Sequence, residues 1–493
     1  MTVDGDGVRE TDARGGGYDV LVVGAGAAGA AAALSAHESG ASVLVLEKGD
    51  AATAGGNTRV SGGGWFTHDS PERAEVFLRT LCGQYGLDDE VIRSWAAETA
   101  VNSQWMRSLG APVARSGEYH TSPEYLGVDG ADCYTGMDTV DGRMGNGALL
   151  GFLRGVLADR GIEVREGAAA REIVRDPDGG IAGVALEDGT TVEARSVVLA
   201  TGGFAANPQM VRDYLRLPDH VLWGSPHSTG DGHRMAQQAG ADLWHMDNMM
   251  TITGVDTGRR TGMYLALWGS PHHLFVSAAG RRFADETAEA RHGHVEHDGR
   301  YEHFPTHRFH VVFDSRLLSA GPLSPDRGVL PVGWELLEYD TRWSADNSAE
   351  LADGRIVAAD TPQALAEAIG VDPETLEATL RHYNSACAAG RDDWFGRDPA
   401  TMGPVDAPPY YALEVVPMIG WSSGGPRRDG RSRVLDVHGE PIPGLFAAGE
   451  VSSTYSWCKD GGFHIADALA FGRIAGREAA ALVRPGVRAG VGG

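Results

Sequence analysis

The residues best placed to do chemistry begin with Gly24-x-Gly26-x-x-Gly29, which follows the apolar run YDVLVVG and opens the Ala-rich stretch AAGAAAALSAHESG. A first glycine in such a turn permits a tight bend, a second lets backbone approach a pyrophosphate, and a third lets helix pack on strand. The helix start offers unpaired N–H groups and a positive dipole to phosphate. Glu47 closes the next apolar run, ASVLVLEK. A carboxylate there accepts hydrogen bonds from ribose hydroxyls and repels a 2′-phosphate. The glycine pattern alone is weak; strand, turn, helix and acidic residue in that order define a dinucleotide-binding βαβ unit.

A second group is titratable. His292, His294, His297, His303, His307 and His310 crowd one short stretch, and Tyr455, Trp457 and His464 flank a late glycine loop. The histidines read as solvated loop residues, as a proton-shuttling or substrate-lining cluster, or as metal ligands. Metal is disfavoured: Pro305 interrupts any helix that would put His303 and His307 on one face, and no cysteine or repeated carboxylate accompanies them.

Three glycine-rich loops must converge to bind one long ligand. They are Gly55 to Gly64, Ala200-Thr201-Gly202-Gly203 after a buried-strand pattern, and Ala447-Ala448-Gly449-Glu450 after another. Such a trio suits a flavin dinucleotide better than NAD. No second G-x-G-x-x-G exists to feed it from NAD(P)H.

The elements around these loops form a coherent order. Strand, helix and strand occupy 18–48, and short strands with turn chemistry (DPDGG, EDG) run from 161 to 203 as a β-meander feeding another buried strand. Helical patterns lie near 361–369 and 373–388, and GFHIADALAFGRIAGREAAALV reads as a closing helix. The expected fold is α/β: a Rossmann-like FAD domain of the glutathione-reductase type, with parallel sheet and β-meander, interrupted by an inserted α+β capping domain. The expected divisions are a lead-in 1–17, FAD domain 18–247, cap 248–421, FAD domain again 422–485, and tail 486–493.

Composition excludes several classes. Forty-two Lys and Arg against 67 Asp and Glu give a net charge of −25, with none of the basic clustering that nucleic acid or an anionic membrane would need. Gly reaches 69 of 493 residues with no G-X-Y period. Four scattered cysteines carry no C-x-x-C, and no run of 18 apolar residues appears. The expected address is the cytoplasm.

The pieces VVGAGAAG with LEK, GGNTRVSGGG, VVLATGGF, STGDGHRMAQQAGA, GRRFADE and IPGLFAAGEV with FGRIAGREAA run almost end to end. In this the chain resembles the flavoprotein family of fumarate reductase and succinate dehydrogenase, which also holds 3-ketosteroid dehydrogenases, urocanate reductase and tricarballylate dehydrogenase. The spacing of GRRFADETAEAR is most like the last of these.

The resemblance implies FAD held by Gly24, Gly26, Ala28, Gly29, Glu47, Lys48, Asn57, Thr58, Gly62, Gly63, Gly64, Thr201, Gly202 and Gly449. It further implies Ala169 or Ala170 near the adenine, Asp231 on the flavin side, Glu450 on the ribityl chain, and the amides of His464 and Ile465 at the pyrimidine. Asn57 stands where relatives with flavin attached through histidine have that histidine, so FAD is expected to be non-covalent.

By the same resemblance Arg291 is the proton-transferring arginine, shifted by one position from the fumarate reductase spacing. Trp421 takes a clamp-histidine position, beside Ser422, and Lys459 stands near the clamp arginine, before Gly461 and Gly462. Tyr455 or His464 is a further candidate base.

Lysine is a point charge without the bidentate fork a carboxylate prefers, so these changes argue against fumarate or succinate. The expected activity is α,β-dehydrogenation, or alkene reduction, next to a carbonyl or carboxylate. The expected electron partner is oxygen, a quinone or a redox protein. An oxygen-using oxidase or hydroxylase, a 3-ketosteroid-type dehydrogenase and a non-catalytic flavin subunit are the alternatives.

Overall fold

The computed structural model describes residues 9–10, 17–117, 121–177, 179–258, 261–267, 270–288, 292–297, 299–324 and 343–482. Arg291 lies outside them.

The first sheet is built on short apolar strands covered on both faces. Its path runs Glu163–Arg165, Val43–Leu46, Tyr18–Val23, Thr191–Leu199 and Pro441–Ala447, all parallel, with Arg433–Leu435 antiparallel at the edge. Val20, Leu21, Val22 and Leu44 to Leu46 are buried, as two-sided cover requires. The meander differs in one respect from the sequence reading. The last meander strand and the buried strand it is expected to feed are one continuous strand, Thr191–Leu199. Its first half pairs antiparallel with Ile181–Leu186, and its second half pairs parallel with Tyr18–Val23. Period-2 patterning cannot reveal a strand that changes partners midway.

Helix Ala27–Glu38 is buried from Ala27 to Ala36 and packs on Phe463–Ala481. The approach is close because both faces are small: a Cβ on Gly472 or Gly476 would run into the carbonyls of Ala28 and Ala32. This packing holds the first turn of each helix toward the same cleft.

The second sheet has the order Met263–Tyr264, Met249–Val255, Tyr410–Ser422, Phe309–Asp314, His273–Val276, with Val221–Leu222 and Ile356–Ala359 also on Tyr410–Ser422. Helices Pro362–Ile369 and Pro373–Ala389 cover it through Leu365, Leu376, Leu380 and Tyr383. A separate ribbon pairs His294–His297 with Arg300–His303. His303 is therefore in a strand, and the Phe304–Pro305 bond beyond it is cis.

A buried ion network anchors the segment before the ribbon. Arg282 bonds Glu286 at 2.6 and 2.7 Å and pairs with Asp392 at 2.7 Å, while Arg397 holds Glu286 at 3.1 Å. Glu286 also accepts the Phe275 amide at 3.1 Å. Removing one member of such a network strands a buried charge, which fixes GRRFADE rigidly.

Candidate active site

The cleft at the C-terminal ends of the parallel strands, where the chain crosses between elements, is where such sheets bind ligands. Its volume is about 320 Å³. At one end Gly24 turns with φ 107°, and a Cβ there would strike the Ala200 carbonyl. Gly29 does not face the cleft; a Cβ on it would overlap the Gly24 carbonyl oxygen, so it serves helix–strand packing. Gly26 and Ala28 line the wall. Glu47 accepts the amides of Ala25 at 2.9 Å and Gly49 at 2.8 Å. These contacts leave each carboxylate oxygen a lone pair for a hydroxyl donor. Thr58 Oγ1 accepts the Ala27 amide at 3.0 Å, tying the Gly56–Arg59 turn to the helix start.

Lys48 pairs with Asp231 at 2.7 Å and also donates to Thr229. Gly62, Gly63, Gly64, Ala168, Ala170, Thr201, Gly202 and Gly449 complete this stretch. Ala169 instead gives its carbonyl to the Glu187 amide at 2.9 Å, so Ala168 and Ala170 are the alanines that face the cleft.

Asn57 donates to Glu450 Oε2 at 2.9 Å and accepts the Ser225 amide at 2.8 Å. Burial pushes the Glu450 carboxyl up to about 7, against the Asn57 bond that lowers it. The backbone at Ser422 and Gly203 also bonds this carboxylate, and among the described residues Thr201 Oγ1 is buried without a partner. Buried polar atoms are normally paired. One orphaned hydroxyl, a cradle that side chains would fill and a carboxylate at the second strand fit a dinucleotide with many hydroxyls.

The far end is aromatic and charged. Trp421 and Ser422 end the long strand Tyr410–Ser422, so their side chains point to opposite faces. Trp421 lines the cleft; Ser422 Oγ accepts the Phe204 amide at 2.9 Å behind it. Lys459 is 5% exposed, with Nζ 4.6 Å from the Trp421 ring centre and, among the described residues, one long bond, 3.4 Å, to the Asp460 carbonyl. Burial pushes its ammonium down to about 8, while Glu124 and Asp460 pull the other way.

His464 stands edge-on to Trp421 at 5.3 Å, and burial, with Lys459 and His292 nearby, holds it neutral, well below the usual histidine range. His464 and Ile465 belong to the first turn of Phe463–Ala481, whose amides have no intrahelical acceptor. Gly461 and Gly462 lead into it and line the cleft.

Tyr455 is placed differently from a base. Its hydroxyl donates to the Phe463 carbonyl at 2.6 Å and accepts from Trp95 Nε1 at 3.0 Å, fully buried outside the cleft lining. Burial raises that phenol well above its ordinary value. Of the histidine cluster, His292 reaches the cleft, 5.5 Å from Trp421, while His294 and His303 pack on Trp457 at 4.6 and 4.7 Å.

Two acids have no local sequence signature. Glu124 Oε2 lies 2.8 Å from His292 Nδ1, and Asp460 accepts the Glu124 amide at 2.9 Å. Burial, then Glu124, pushes the Asp460 carboxyl up. Trp223 and Met250 add apolar wall.

Residues 19–468 match the family described as FAD binding domain, and the chain belongs to it. A probable fumarate reductase of Shewanella frigidimarina is 29% identical, over 94% of this chain and 74% of the relative. A vinyl phenol reductase of Lactiplantibacillus plantarum is 28% identical, over 94% and 96%. The crystal structure of 3-ketosteroid Δ1-dehydrogenase from Sterolibacterium denitrificans has the same fold, with TM-score 0.76, 21% identity and coverage of 94% and 99%. The chain is an FAD-dependent oxidoreductase of the class acting on carbon–carbon bonds. Among the described residues no helix is long and apolar enough to cross a membrane.

Proposed function

We propose that the protein interconverts a C–C single and double bond next to a carboxylate or carbonyl, on a substrate with an apolar, aromatic-sized body and one anionic group. The observation that carries this reading is Lys459, a buried cation with one long hydrogen bond among the described residues, beside the Trp421 face. Fumarate-type substrates carry two carboxylates, and among the described residues this wall offers Lys459 where a clamp would hold them. The relative named for vinyl phenol agrees with an aryl body.

FAD supplies the hydride-accepting or hydride-donating atom when bound. It is held without a covalent bond: Asn57, engaged by Glu450 and Ser225, offers no nucleophile for attachment. Lys459 neutralises charge as it grows on the substrate oxygen, which lowers the barrier to moving the neighbouring proton. Arg291 moves that proton. The Glu286 network fixes the segment leading to it, and Trp421 with Trp223 and Met250 keeps water from the apolar body. Electrons leave to, or arrive from, an external carrier. The four cysteines are free thiols, which fits a reducing cytoplasm.

Anaerobic mixing of holoenzyme with paired saturated and unsaturated acids and ketones tests the reading. Flavin bleaching by a saturated member, with the alkene as product, supports it; peroxide or an inserted oxygen atom in air points to the oxidase alternative instead. Arg291→Ala should leave FAD bound and slow flavin reduction by about 100-fold or more. Unchanged kinetics remove Arg291 from the mechanism.

A further inference from the structure

On the dehydrogenation reading above, each desaturation leaves one proton in the cleft and each alkene reduction needs one delivered. The wall of Trp421, Trp223 and Met250 does not carry it, so the route to solvent runs through titratable side chains. Several at the reacting end have nowhere to pass a proton. Lys459 is buried, and its one bond among the described residues goes to a backbone carbonyl. Asp460 is fully buried, with its oxygens on the amides of Glu124, Tyr125 and Gly461. Among the described residues His464 Nε2 is buried without a partner. His292 differs. It lines the cleft, and its Nδ1 lies 2.8 Å from Oε2 of Glu124, whose side chain is 15% exposed. An imidazole with one nitrogen at a carboxylate gives the other, here Nε2, to the ligand side.

The backbone holds both members of this pair. His292 has φ 49°, a left-handed conformation that costs a residue with a side chain, and Gly293 follows at φ 83°. A Cβ on Gly293 would strike the Thr251 amide nitrogen, and its carbonyl accepts the Phe304 amide at 2.8 Å. The turn is therefore pressed onto the strand Met249–Val255. From the other side the Glu124 amide is tied to Asp460 Oδ2 at 2.9 Å. Electrostatically, His464 senses His292, while Lys459, Asp460, Tyr125 and Tyr134 sense Glu124.

We propose that His292 and Glu124 form a proton relay between the reacting end of the cleft and solvent. In desaturation the C–H bond next to the carbonyl or carboxylate breaks, and its electron pair forms the double bond as hydride leaves the neighbouring carbon for FAD. The proton passes, by way of Arg291, which directly precedes His292 in the chain, to Nε2. Nδ1 gives its own proton to Glu124 Oε2, and the carboxyl releases it to water. Alkene reduction runs the same steps backwards.

The test mixes dithionite-reduced holoenzyme, free of excess reductant and oxygen, with saturating trans-cinnamate or benzylideneacetone, whichever wild type takes faster, and follows flavin reoxidation. Glu124→Gln keeps the shape and loses the proton carrier. It should slow reoxidation about 30-fold or more, with the half-saturating concentration within about threefold of wild type. His292→Ala should slow it comparably, and added imidazole should restore about tenfold or more. The double variant should be no more than about threefold slower than the slower single, since two links of one chain fail together. A wild-type rate in Glu124→Gln, multiplied losses in the double variant, or a His292→Ala rate that imidazole leaves unmoved overturns the proposal. Failure of the dehydrogenation reading looks different: wild-type holoenzyme itself is then reoxidised by neither compound, and the relay falls with it.

Discussion

Where Gly24, Gly26 and Glu47 lie, the cleft wall is mostly backbone and small residues built around one contiguous βαβ unit; where Trp421 and Lys459 lie, it is large side chains from distant segments. The first end recognises by close approach and by amides, which any substrate-specific relative can share. On the proposed reading, the second recognises by charge and aromatic surface. Binding of the cofactor and choice of substrate are therefore separable, and substitutions should sort cleanly between the two ends.

The largest effect expected is at the packed end. Gly29→Val would drive methyls into the Gly24 carbonyl, and purified protein should carry less than about a tenth of the normal flavin. Flavin-to-protein absorbance ratios measure this. Full flavin content would mean that the helix does not approach the strand as closely as described.

At the other end Lys459→Met should keep flavin content and weaken anion binding and turnover by about 100-fold. In wild type, binding of a fully ionised monoanion should weaken as pH rises through about 8, because the Lys459 ammonium, pushed down by burial, loses its proton there. Lys459→Arg should move that decline beyond the measurable range. A flat profile in wild type would take Lys459 out of anion binding.

Smaller again is Tyr455→Phe. It removes the donor to the Phe463 carbonyl and the acceptor for Trp95, and should cost about 1–3 kcal/mol in urea unfolding with flavin reduction kept within severalfold. Loss of flavin reduction at unchanged stability would restore the tyrosine as a base.

This contrast also explains what could be read from sequence. The βαβ turn, its glycines, Glu47 and the closing helix are local, and their chemistry is written in contiguous residues. The reacting end is tertiary. Glu124 is fixed beside it because Asp460 pins its backbone and His292 meets its side chain, from positions far apart in the chain. Tyr455 carries the same residue type as a base, and its commitment to Phe463 and Trp95 is visible in three dimensions alone. The strand Thr191–Leu199 was legible as apolar runs, while its change of partner was not.

The most direct measurement mixes dithionite-reduced holoenzyme, free of excess reductant and oxygen, with trans-cinnamate or with fumarate and follows the return of oxidised flavin absorbance. Reoxidation by cinnamate, at least about tenfold faster than by fumarate and dependent on Lys459, is the predicted result. Reoxidation by fumarate as fast as by cinnamate, or by neither one nor any aryl alkenoate or enone, contradicts it.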